Sequence, residues 1–168
     1  MATRVANRQL DALDRQIVGI LLTNGRSTNR EIARRVGASE GTIRNRIDKL
    51  LRDDVLRIVG VPNPAKIGLP TTAFIGLQVE LSHLEEVARR LADVREMSFV
   101  TYTTGNMDIV CLGHFPSNDA LLEFLTNTLA SIPGIKKVET SITLKTIKQL
   151  LGPARDDAKR QEAGARAS

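Results

Sequence analysis

The stretch REIARRVGASEGTIRNRIDKL, residues 30–50, decides the fold. Two short runs with helical apolar spacing are joined by Gly37-Ala38, and the second carries Arg44, Asn45, Arg46 and Lys49. The first run opens at Thr28 with Glu31 three residues on, the spacing of a capping box, and turns Ile32, Ala33 and Val36 inward. The second opens at Ser39, whose hydroxyl can accept from first-turn amides, and its apolar stripe is Ile43, Ile47 and Leu50. Upstream, Leu10, Leu13, Ile17, Ile20 and Leu21 trace another helix that stops at Asn24-Gly25. Three short helices with a tight turn before the last describe a helix-turn-helix.

On the last of these helices Gly41, Thr42, Asn45, Lys49 and Arg52 lie opposite the stripe, with Arg44 and Arg46 on its two flanks. A recognition helix needs this arrangement: one face anchors it, the other offers donors to base edges and phosphates. The candidate DNA contacts are Ser39, Thr42, Arg44, Asn45, Arg46 and Lys49, with Arg57 from VLRIVGV, which reads as a short wing strand. Arg46 borders the apolar stripe, where an ion pair with Asp14 competes with a phosphate. A basic helix face is in itself only a solvated surface, so the regional charge is what weighs. Residues 1–60 carry twelve Lys/Arg against seven Asp/Glu, a net of +5, while 61–152 net −1 and 153–168 net +1. That is the footprint expected of a nucleic-acid-binding module on a neutral partner domain, and with a helix-turn-helix the expected partner is double-stranded DNA.

After the Pro/Gly-rich PNPAKIGLP the pattern changes. TAFIGLQVEL is β-like, HLEEVARRLADV helical, MSFVTYTT and DIVCLGHF strands, SNDALLEFLTNTLASI a helix, and IKKVETSITLKTI a final strand. The order β-α-β-β-α-β is a ferredoxin-like split unit, with Phe74 and Ile109 in corresponding places of its halves. The fold class is therefore α+β. Its expected parts are a winged helix-turn-helix over 1–60, a linker over 61–71, the ferredoxin-like domain over 72–151, and a mobile tail over 152–168. Residues 1–9 read as a loose arm. With both helices on one side of the sheet, its Thr-, Val- and Ile-rich other side is expected to pair with a second copy.

Aromatic residues make up 3% of the chain and Trp is absent, which argues against single-strand binding on stacked rings. No apolar leader or membrane-length run is present, so a soluble, cytoplasmic protein is expected. The single Cys111 lies in an apolar run and reads as a buried thiol. His83 and His114 stand in different elements without ligand-like spacing. No metal, cofactor or catalytic residue is assigned.

These residues carry a resemblance. LDALDRQIVGIL and NGRSTNREIARRVGASEGTIRNRIDKLLRDDVL resemble the opening helix and helix-turn-helix of the Lrp/AsnC, or feast/famine, regulators. TTGNMDIVCLGHF followed by LASIPGIKKVETSITLKTIK resembles their ligand-sensing (RAM) domain. Two departures stand out: Asp54 where a glycine is usual, and Met107 where an aromatic is common. The resemblance implies a transcriptional regulator that forms homodimers and higher oligomers such as octamers. It also implies a small-molecule effector, an amino acid or relative, held near the turn after the second sheet strand and between neighbouring subunits. The residues suit that role. Gly105 and Asn106 amides can meet a carboxylate, Asp108 an ammonium group, and Thr103, Thr104 and Thr140 offer neutral hydrogen bonds. Met107, Val138 and Ile142 would shape the side-chain pocket. The same Gly-Asn is also plain hairpin-turn chemistry. One enzyme class, the sirohaem decarboxylases, resembles this architecture, but it would need a cleft lined with His and Arg. A ligand-independent, oligomeric DNA-binding protein is the remaining alternative.

Overall fold

The structure, a computed structural model, describes residues 10–147. The expected arm over 1–9 and tail over 152–168 lie outside them. Tertiary packing divides the chain after Gly60 into two compact units.

The first unit holds α1 (Ala12–Thr23), α2 (Asn29–Val36) and α3 (Glu40–Arg52). Each begins with a side chain that satisfies an orphan amide: Asp11 takes the Asp14 N–H, Thr28 that of Glu31, and Ser39 that of Thr42. Glu31 completes the capping box by accepting from the Thr28 amide at 2.8 Å. That amide, before the Thr28 hydroxyl, holds its carboxyl below the usual glutamate range. Gly37 ends α2 at a φ of +71°, which frees the chain to turn into α3. Ile17, Leu21, Ile32, Ala33, Ile43, Ile47, Leu50 and Leu56 form one core, with Ile17, Ile32, Ile43 and Leu50 fully buried. Burying each such side chain stabilises the unit by roughly 1.5–3 kcal/mol before ordering costs.

The expected wing strand does not form: residues 55–63 have no strand structure. A strand needs a ladder partner, and none of the described strands pairs with this segment. Only Leu56 enters the core, while Ile58, Val59 and Val61 stay exposed. Asp54, one of the two departures from the resembled pattern, adopts φ +54°. Asp tolerates that left-handed conformation better than most residues.

The second unit contains β1 (Thr71–Val79), α4 (Leu84–Ala92), β2 (Met97–Tyr102), β3 (Ile109–Phe115), α5 (Asn118–Glu123) and β4 (Ile135–Ile142). The sheet order is β2-β3-β1-β4, all antiparallel, which is the ferredoxin-like arrangement. Part of the expected linker is a 3-10 turn, Pro64–Ile67, and β1 begins at Thr71. α5 widens into a π turn, Phe124–Thr128, and a 3-10 turn, Leu129–Ser131, before β4. The final strand stops at Ile142, short of its expected end, leaving Leu144 and Ile147 exposed.

Strand alternation sorts the sheet cleanly. Ala73, Ile75, Leu77 and Val79 of β1 and Ile109, Cys111 and Phe115 of β3 face α4 and α5, with Val87, Leu91, Leu121 and Phe124 closing the core. Phe115 and Phe124 meet at 5.4 Å between ring centroids, tilted by 44°. Phe74 points to the opposite, open face and is half exposed, whereas Ile109 is fully buried. The supposed correspondence of Phe74 and Ile109 is therefore wrong by one strand step. In the register Ile109 pairs with Leu77, and Phe74 with Leu112.

Candidate nucleic-acid interface and effector site

α3 presents its chemistry outward. Ile43, Ile47 and Leu50 are buried, and Thr42, Arg44, Asn45 and Lys49 are exposed. Ser39 caps the helix, and its hydroxyl lies 2.8 Å from that of Thr42. Both hydroxyls thus sit at the N-terminal end, where the helix dipole favours an anion. Arg30, Arg34 and Arg35 of α2 are exposed as well and make no ion pair among the described residues. The residue reading missed these three, although the regional charge contained their signal.

Two expected DNA contacts are otherwise engaged. Arg46 hydrogen-bonds Asp11 and, at 3.1 Å, the buried Asp14. Its Nη1 thus ties α3 to the start of α1, the internal pairing weighed in the sequence against a phosphate contact. Asp11, held first by the Asp14 amide and then by Arg46, lies below the usual aspartate range. Arg57, with no wing to carry it, pairs with Asp54 through two bonds of 2.7 and 3.2 Å. That pair braces the chain where it leaves α3 and lowers the Asp54 pKa.

In the second unit the turn between β2 and β3 is held by bonds within itself and to β1. The Thr103 N–H donates to the Asp108 carbonyl at 2.9 Å and the Thr103 hydroxyl to the Met107 carbonyl at 2.5 Å. Gly105 takes φ +102°, a conformation that side chains resist. Gln78, which the sequence reading missed, donates from Nε2 to the Asn106 carbonyl at 2.8 Å. The Asp108 carboxylate accepts the Val79 N–H at 2.8 Å, and the Asp108 N–H donates to the Leu77 carbonyl at 2.9 Å. Tyr102, Thr103 and Thr104 line an open concavity beside the turn.

The expected effector residues do not converge within one chain. Met107 lies over Gly76 on the open face, so close that a Cβ at Gly76 would stand 2.9 Å from its Cγ. Val138, Thr140 and Ile142 pair with Leu77, Ile75 and Ala73, and therefore point to the helix side of the sheet. They are nonetheless exposed, because β4 is an edge that the helices leave uncovered. His114 sits on the open face with both ring nitrogens occupied, by Thr72 at 3.0 Å and Ser98 at 3.1 Å, and burial lowers its pKa. Cys111 is buried and its pKa rises to about 11. Among the described residues no group of three or more His, Cys, Asp or Glu is arranged to hold a metal, and no helix is long and apolar enough to cross a membrane.

A helix-turn-helix with a basic outer face, joined to a ferredoxin-like domain with one bare sheet face, defines a class: DNA-binding regulators with a second, sensing module. The comparisons with known proteins agree. The AsnC-type helix-turn-helix domain matches residues 10–51, and the Lrp/AsnC ligand binding domain residues 72–152. An HTH-type transcriptional regulator of Pyrococcus furiosus is 39% identical over 134 residues, covering 79% of this chain and 90% of that protein. FL11, an HTH-type transcriptional regulator of Pyrococcus abyssi, is 37% identical over 83% of this chain and 93% of its own. Among solved structures, Escherichia coli AsnC superposes with a TM-score of 0.78 at 27% identity, covering 86% of this chain and 98% of that one. The Neisseria meningitidis regulator NMB0573 in complex with L-Met gives 0.79 at 25% identity, over 91% and 99%. The chain belongs to the Lrp/AsnC family of transcriptional regulators.

Proposed function

We propose that this regulator reads a specific DNA site through α3, acts as a dimer or larger homo-oligomer, and is tuned by an amino acid or a closely related metabolite. The observation that carries the reading is the division of α3 between a buried apolar stripe and an exposed polar face ending in a Ser39 cap. Thr42, Arg44, Asn45 and Lys49 are the base and phosphate contacts, with Ser39 and the first-turn amides on a phosphate. Dimerisation through the open face, where Phe74 and Phe99 are half exposed, removes apolar surface from water.

The effector is held at the turn Thr103–Asp108. Gly105 and Asn106 amides meet its carboxylate, and the second Asp108 oxygen meets its ammonium group. Val138, Thr140 and Ile142 contribute from a different subunit, since their own sheet separates them from Met107. That a structural relative was solved with L-Met supports an amino acid as the ligand class.

A thermal-shift screen of the common amino acids, with and without the protein's own promoter DNA, tests this. A ligand selective for the folded state raises the melting temperature in proportion to RT ln(1 + [L]/Kd). No shift with any of them would leave the regulator without an amino-acid effector. Equal affinity for promoter and random DNA would overturn specific recognition.

A further inference from the structure

We propose that Asp48 is a specificity-determining residue of the recognition helix, accepting a hydrogen bond from the exocyclic amine of a cytosine in the major groove. This inference rests on the reading of α3 as the DNA-recognition helix.

Asp48 stands out because the other acids of the first unit have local roles. Asp11 caps α1, Asp14 holds Arg46, Glu31 closes a capping box, Asp54 holds Arg57, and Asp53 is not without a partner of its own. Glu40 sits in the first turn of α3, where the helix dipole favours a negative charge. Asp48 is in the middle of the helix, where the dipole offers it nothing. It is exposed and makes no hydrogen bond or ion pair among the described residues, although Arg44 and Arg52 stand four residues away on either side.

Its position makes that isolation consequential. At 100° per residue it falls between Arg44 and Asn45 on the outward side of the helix, well away from Ile43, Ile47 and Leu50. A helix docked by that side carries Asp48 into a groove walled by phosphates. There a carboxylate loses water and meets like charge, a cost offset only if it accepts a hydrogen bond. Cytosine offers N4–H₂ as its only polar major-groove group. Adenine sets its amine beside the N7 acceptor, and guanine and thymine present acceptors toward the groove, all of which repel a carboxylate. Asp48 therefore selects as much by what it excludes as by what it binds.

The test uses the full-length protein, a pool of promoter DNA randomised across the bound site, and the Asp48→Asn and Asp48→Ala variants. Wild type should show a cytosine preference at one position of each half-site. Asp48→Ala should lose about tenfold of that discrimination while binding random DNA more tightly, because a repulsive charge has gone. Asp48→Asn should relax the preference toward adenine, since an amide pairs with N6 and N7. Unchanged thermal melts would show that both variants fold. Base preferences identical to wild type at every position, or a uniform change on all sequences, would overturn the assignment. Wild type that binds promoter and random DNA alike would overturn the specific-recognition reading itself, and the Asp48 role with it.

Discussion

Arg46 illustrates what a single residue does here. It stands on the helix expected to enter the groove, yet its guanidinium is held by Asp11 and the buried Asp14. Arg46→Ala leaves Asp14 buried without this partner, so the first unit should melt at a lower temperature, read by circular dichroism. DNA affinity should fall on all sequences alike, because α3 loses a brace and no base contact. Loss confined to the promoter would make Arg46 a base reader after all. Titration separates the two units at the same scale. Asp11 has a folded pKa below its ordinary 3.8, so its stabilisation is complete above that value and disappears as pH falls through the lowered one. His114 is depressed below 6.5, so the unfolded chain takes up its proton first. The sheet unit should therefore begin to lose stability as pH drops through about 6.5, and the helical unit only below the ordinary 4.5 of Glu31, whose capping box lowers its carboxyl in the folded state. His114→Gln should flatten the first limb of the melting profile, and Asp11→Asn should reduce the second, which Glu31 and Asp54 share. Unchanged profiles in both variants would refute this account.

Among the elements, α3 carries the sharpest expectation. Arg44→Ala or Asn45→Ala should weaken promoter binding by about 1–3 kcal/mol with the fold intact, measured by fluorescence anisotropy on promoter and random DNA. Equal loss on both would make them phosphate contacts. This helix was legible in the sequence because its determinants are written locally: the Ser39 cap and the Gly37 turn act within four residues, and the stripe Ile43–Ile47–Leu50 shows as helical spacing whatever it packs against. The capping box at Thr28 and Glu31 was legible for the same reason. The ferredoxin-like class followed from the element order, but the partners of individual side chains did not. VLRIVGV has strand-like residues, yet among the described strands none offers it a ladder, so composition misled. Phe74 and Ile109 were matched by position along two segments, whereas facing is set by register, which depends on the pairing of β1 with β3. Val138, Thr140 and Ile142 were grouped with the turn by chemistry, and only the β1–β4 register shows that they leave the opposite side of the sheet from Met107. Gln78 escaped notice because a strand glutamine carries no signal until the turn lies against it.

At the scale of the whole molecule, two separate cores mean that the units can be cut apart and their roles tested. A fragment spanning 61–151 should dimerise, because the bare sheet face bearing Phe74 and Phe99 belongs to it. A 1–60 fragment should be monomeric and bind DNA poorly. The reason for the weak binding is geometric. In the dimer the first recognition helix to land holds the second near its half-site, which raises its effective concentration by orders of magnitude without any new contact. Cutting the chain removes that gain while leaving every α3 side chain in place. Sedimentation velocity at micromolar concentration reads the first outcome, and anisotropy on one-half-site and two-half-site DNA reads the second. The intact protein should gain strongly from the second half-site and the 1–60 fragment should not. Asp108→Ala then separates sensing from assembly. Losing the Val79 bond loosens the turn, so effector response should vanish, while the dimer, held by the face beyond it, should survive. A monomeric Asp108→Ala protein would mean that the turn belongs to the dimer contact itself, and a monomeric 61–151 fragment that the open face is not where the copies meet.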